Sequence, residues 1–109
     1  MKKIISQDIL LEVTTPLKKK IRTHKGYWSK IIDEKHIELE YGLDELKQTL
    51  QDPDQVRESL KDDTIHLYYR TVNEHTLVCV TKILNGEGFV VTFYQTSNPK
   101  PKGEVLWQK

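Results

Sequence analysis

Three β-rich segments in the last third of the chain constrain its fold more than any other feature. Thr64–Val72 (TIHLYYRTV), Thr76–Leu84 (TLVCVTKIL) and Phe89–Thr96 (FVVTFYQT) are dense in β-branched and aromatic residues. Asn73-Glu74 separates the first pair and Asn85-Gly86-Glu87-Gly88 the second, both turn-forming sequences. The middle segment is almost continuously apolar, as a central strand is. A loop, Asn98-Pro99-Lys100-Pro101-Lys102-Gly103, and a closing segment, Glu104-Val105-Leu106-Trp107, follow. The pattern predicts an antiparallel meander.

The region before it reads differently. Asp8–Thr15 (DILLEVTT) predicts a first strand, and Pro16–Arg22 a turn with a returning strand, before His24-Lys25-Gly26 breaks the chain. Tyr27, Trp28, Ile31 and Ile32 lie on one face of a helix over 27–35. His36–Gly42 alternates like an exposed strand but stands alone. Leu43, Leu46 and Leu50 mark a second helical stripe. Asp52 as N-cap and Pro53 at the first helical position then predict a short helix over Pro53–Leu60, with Val56 and Leu60 inward. The order implies an α+β fold: an N-terminal hairpin, two or three helices, then an antiparallel sheet.

At 109 residues the chain suits one domain, 1–109, with a core over about 9–107. No window reaches the run of ~18 apolar residues that a membrane-spanning helix needs. Cys79 is the only cysteine, which excludes an internal disulfide framework and a multi-cysteine zinc site; together with the short apolar runs this predicts a soluble cytoplasmic domain without membrane partners. Net charge is +1, unevenly spread: residues 1–35 carry nine Lys/Arg against four Asp/Glu, and residues 36–65 three against nine. The basic first third suits phosphate, whereas the near-zero total argues against a general nucleic-acid coat.

No phosphate-binding glycine loop, dinucleotide fingerprint, zinc-protease helix or nucleophile elbow is present. The four histidines do not fall at metal-ligand spacing, so no metal and no cofactor is expected. What remains is His, Arg, Tyr, Thr and Lys, which suits metal-free RNA cleavage. Attack by a ribose 2′-hydroxyl needs a base, an acid for the leaving 5′-oxygen, and cations for the charge that develops. Imidazole serves either proton role near neutral pH, and arginine grips phosphate with a fork.

Strand alternation sorts the candidates. His66, Tyr68 and Arg70 share one face of their strand; Thr92, Tyr94 and Thr96 share one face of theirs. The simplest arrangement buries Leu67, Tyr69, Phe89, Val91 and Phe93 under the helices. His66, Tyr68, Arg70, Thr92 and Tyr94 then line an open face, which suits RNA and equally an ordinary solvated sheet. Other residues have structural readings as well: His36 as a helix C-cap, Arg57 as a surface ion pair, Cys79 as a small buried hydrophobe, and Trp28 and Trp107 as packing.

Several stretches together resemble a family of small bacterial and phage nucleases in the barnase/EndoU/colicin/RelE-like (BECR) group. They are Tyr27–Ile32 with Lys35-His36, Thr49–Ser59 (TLQDPDQVRES), Leu67-Tyr68-Tyr69-Arg70, Gly88–Tyr94 (GFVVTFY) and Lys102–Trp107 (KGEVLW). The resemblance implies helices followed by a four-stranded antiparallel sheet, and a metal-independent endoribonuclease, often the toxin of a toxin–antitoxin pair. It makes His36 the general base or acid and sets Arg57 and Ser59 on phosphate. Tyr68 or Arg70, Thr92 and Tyr94 complete the pocket, and Lys102 adds a cation. Phe93 stands where the family pattern has a small residue before the tyrosine.

The leading expectation is therefore RNA cleavage giving a 2′,3′-cyclic phosphate, with tRNA or mRNA as substrate and a cognate antitoxin or inhibitor as protein partner. His36 would transfer protons, Arg57 and Arg70 hold phosphate, and Tyr68 and Tyr94 position a base. His66 and the basic segment, including Lys30 and Lys35, would bind and steer the RNA. The rival from another class is a non-catalytic RNA- or protein-binding module using the same open face. A third is the neutralising partner of another toxin, which the acidic stretch 36–65 would suit.

Overall fold

The computed structural model describes residues 9–24, 28, 42–84 and 87–109. Two strands, β1 (Ile9–Thr14) and β2 (Lys20–His24), precede one helix, α1 (Leu43–Gln51). Five strands follow: β3 (Gln55–Glu58), β4 (Ile65–Val72), β5 (His75–Leu84), β6 (Glu87–Thr96) and β7 (Val105–Gln108). All seven strands join one sheet in the order β1-β2-β6-β5-β4-β3-β7. No helix among the described residues is long and apolar enough to cross a membrane.

The N-terminal hairpin and the β4-β5-β6 meander form as their sequences predict. Asn73 holds the β4–β5 turn in the left-handed region at φ 57°, which asparagine tolerates. The α+β expectation nevertheless fails: the described chain is mostly strand with a single helix, in a mixed sheet. It is therefore not the helices-then-antiparallel-sheet order that the nuclease resemblance implies. The hairpin does not stand apart, because β2 pairs parallel to β6 through Lys20–Glu87, Ile21–Gly88 and Arg22–Phe89. Arg22 reinforces the junction with ion pairs to Glu12 and Glu87, each 2.9 Å. The helix expected over 27–35 and the segment His36–Tyr41 lie outside the described residues, apart from the buried Trp28.

The predicted helix over Pro53–Leu60 is instead β3. Asp52 does not cap a new helix; its N–H closes α1 on the Gln48 carbonyl at 2.8 Å. Asp54 then enters the sheet: its N–H donates to the Tyr69 carbonyl (2.7 Å), its carboxylate accepts the Thr71 N–H (2.8 Å), and its carbonyl accepts the Lys109 N–H (3.0 Å). Two main-chain hydrogen bonds and one through the carboxylate at this residue outweigh the helix propensity of so short a segment, for which nucleation is costly. β3 thereby fills the slot between β4 and β7.

Helix α1 lies on one face of the sheet. Leu46 and Leu50 are fully buried, each burial worth about 1.5–3 kcal/mol. Beneath the helix runs a row of paired residues, Val56–Tyr68–Cys79–Phe93, all fully buried. Trp28 lies tilted against Phe93 with ring centroids 6.1 Å apart. The expected assignment of β4 faces is therefore inverted, with Tyr68 under the helix and Leu67 and Tyr69 opposite. Val91 also leaves the expected layer: the register shift between Val80 and Thr81 places it between Val90 and Thr92, each paired to β5.

Candidate functional site

The face opposite α1 carries a shallow groove lined by Ser59, Leu60, Lys61, Leu67, Tyr69, Tyr94, Lys100 and Lys102. Its floor follows from strand register. Tyr69 on β4 and Tyr94 on β6 flank the buried Val78 on β5 in one row, while Leu67, Val80 and Thr92 form the next. The two tyrosines are two strand spacings apart, about 9.6 Å of backbone. Burial pushes the Tyr69 hydroxyl up from its usual range and nearby Tyr94 adds to the effect, while the Arg57 guanidinium opposes it.

The rim comes from two loops. After β3, the Ser59 N–H donates to the Ile65 carbonyl at 2.9 Å and its Oγ accepts the Lys61 N–H at 3.3 Å, setting Lys61 at one side. Before β7, Lys100 and Lys102 project from the loop ending at Gly103. No carboxylate lines the groove among the described residues. Arg57 shares this face of β3: its Nε donates to Gln55 Oε1 (2.6 Å) and its Nη1 to the Gly103 carbonyl (2.9 Å). It thus commits Nε and one Nη1 N–H, two of its five donors, to an amide and a main-chain oxygen rather than to neighbouring carboxylates.

The structure divides the predicted site residues. Ser59, Tyr94 and Lys102 line the groove; Arg57 stands beside Tyr69, and Thr92 lies on the same face with its Oγ1 buried and unpartnered. Tyr68, Arg70 and His66 are on the opposite face, which corrects their placement on an open surface. The Tyr68 hydroxyl donates to Thr15 Oγ1 at 3.0 Å, and burial pushes its pKa up to about 12. Arg70 is held by Glu45 of α1 at 2.6 Å. His66 pairs across the ladder with Glu58 and is half-buried; burial pulls its pKa below the ordinary value. His36, Lys30 and Lys35 lie outside the described residues.

Tyr69, Leu67, Lys61 and Lys100 are groove residues that the sequence reading did not select. Alternation correctly grouped Leu67 with Tyr69, but β5 is apolar on both faces and left open which face the helix covers. The three lysines flanking the strands are the signal that marks the groove side. Within the acidic stretch 36–65, four of the described carboxylates have partners: Glu45, Asp52 and Asp62 pair with Arg70, Lys109 and Lys82, and Asp54 accepts from Thr71. Compared with protein families, curated proteins and solved structures, the chain matches none.

Proposed function

We propose that the groove binds single-stranded RNA. The observation that carries this reading is a groove floored by the partly exposed Tyr94 and the edge of the buried Tyr69, rimmed by three lysines, with no carboxylate among its described lining residues. Stacking on an aromatic ring is worth about 1–3 kcal/mol per base, and lysines at the rim neutralise the phosphates on either side. A shallow groove between strands accommodates splayed bases, which a duplex does not present.

Cleavage of the bound strand is a second reading, favoured by Ser59, Tyr94 and Lys102, three residues that the nuclease resemblance marks, lining the same groove. It needs a group that accepts a proton near neutral pH, and the described lining residues include no imidazole or carboxylate.

Fluorescence anisotropy with a labelled single-stranded RNA tests both, with the same samples run on a denaturing gel. Binding of intact RNA that weakens by about tenfold or more in Tyr94→Ala, and also in Lys102→Ala, supports the binding module. Fragments ending in a 2′,3′-cyclic phosphate support the nuclease. No binding at low salt, or binding indifferent to both substitutions, overturns the groove reading.

A further inference from the structure

We infer that Arg57 is a positioning residue that sets the cations of the groove without touching its ligand; this rests on the groove being the RNA site. Lys100 and Lys102 stand on a loop containing Pro99 and Pro101, and such a segment has little secondary structure of its own to fix it. The structure ties its far end to β3 twice. The Glu58 N–H donates to the Glu104 carbonyl at 2.9 Å, and Arg57 Nη1 donates to the Gly103 carbonyl at 2.9 Å. Gln55 holds the same guanidinium through Nε at 2.6 Å, so the fork is aimed along the sheet before the loop arrives.

Gly103 makes the close approach feasible. It has φ +92°, and a Cβ there would sit 1.9 Å from the Glu58 carbonyl oxygen. Only glycine lets the loop lie against β3 with its carbonyl turned to Arg57. The guanidinium thus has two protein acceptors, and its effect on the groove passes through the position of Lys100 and Lys102. An arginine placed to contact phosphate would instead leave its fork open to the ligand.

Arg57→Lys discriminates between these roles, because lysine keeps the charge and loses the fork. Two readouts are needed. The first requires no ligand: trypsin cleavage at the Lys102–Gly103 bond, followed by mass spectrometry under native conditions. Release of the loop is expected to speed this cleavage by about tenfold or more in Arg57→Lys and Arg57→Ala, if the opened loop becomes the cleaved species. Cleavage at the wild-type rate in both variants overturns the clamp.

The second readout is RNA affinity against salt. For single strands the logarithmic salt slope is about 0.7 per neutralised phosphate. Arg57→Lys, Gly103→Ala and the double variant Lys100→Ala/Lys102→Ala should each reduce the slope by about 1.4. Adding Arg57→Ala to the double variant should weaken binding no further, within about twofold. A further tenfold loss, or Arg57→Lys binding like wild type, means that Arg57 contacts phosphate itself and overturns the inference. A wild type that binds no RNA at low salt removes the groove reading instead, and the clamp then stands or falls on the cleavage rate. Gly103→Ala is scored only if its circular dichroism matches wild type, and Arg57→Lys carries the test otherwise.

Discussion

The hydroxyl of Tyr68, at the centre of the sheet, donates to Thr15 Oγ1 in the β1–β2 turn at 3.0 Å, and both side chains are buried. Thr15 Oγ1 also accepts the Leu17 N–H at 3.2 Å, so one oxygen closes its own turn and anchors that turn on β4.

The two ends of this bond are expected to respond unequally. Tyr68→Phe leaves Thr15 Oγ1 with its Leu17 donor and costs about 1 kcal/mol. Thr15→Val strands a buried phenol and the Leu17 N–H together and costs about 2–3 kcal/mol. Urea denaturation of both variants checks the order; equal losses would mean that the turn does not depend on the hydroxyl.

Gly88 carries the parallel junction of β2 with β6. A Cβ there would lie 2.6 Å from Ile21 Cδ1 and 2.7 Å from Ile83 Cδ1, with the Lys82 carbonyl at 3.1 Å. Gly88→Ala is expected to destabilise by about 1–3 kcal/mol. Ile21→Val removes one of the obstructing methyls, so the Gly88→Ala/Ile21→Val double variant should lose less than the two single losses combined, measured by thermal or urea unfolding.

His66 gives stability a pH dependence. Burial holds its pKa below the ordinary value; Glu58 and Asp63 pull it up and Lys19 pushes it down. The unfolded chain therefore takes up the proton first, and stability falls as pH drops through the unfolded value of about 6.5 towards the lower folded one. Below the folded value this contribution is flat, and above about pH 7.5 it is absent. His66→Gln should flatten that part of the profile; an unchanged slope between about pH 7.5 and 5.5 would assign it to another group.

Arg70 separates the expectation from the structure. As a phosphate ligand it would lower RNA affinity when replaced; as the partner of Glu45 it secures α1 to the sheet. Arg70→Ala is expected to cost about 1 kcal/mol of stability with RNA affinity unchanged within about twofold. A selective loss of affinity in the folded variant would return Arg70 to the binding site.

Cys79 is fully buried in the core, and burial pushes its thiol far above the usual range. A thiol reagent should leave the native protein untouched and modify one group on unfolding.

Strand existence was readable wherever β-branched residues stood between turn formers, as in Ile65–Val72 and His75–Leu84, and the Leu43/Leu46/Leu50 stripe marked α1. β3 escaped detection because four residues with one buried side chain, Val56, carry no period, and Asp54 places them through partners far along the chain. The parallel docking of β2 depends on the space at Gly88, which a hairpin pattern does not reveal. The site is half visible in the sequence: Ser59, Tyr94 and Lys102 carry the chemistry, and Tyr69 is buried as expected but on the groove face rather than under the helix, because alternation defines two faces without saying which is covered. Arg57 was named for its chemistry, but its two acceptors are visible only in three dimensions.

The pairing of β3 with β7 also orders events during synthesis. Residues 55–58 reach the ribosome exit long before residues 105–108, yet they hold one edge of β7 and one edge of β4 together. β1 and β2 likewise wait for residues 87–89 before they have a strand to join. A nascent chain can dock β2 once β6 completes the β4-β5-β6 meander, but the outer edge of β3 stays open until residues 105–108 have emerged. Two of the groove's three lysines, Lys100 and Lys102, lie on the segment leading into β7 and take their fixed places only after the meander has closed.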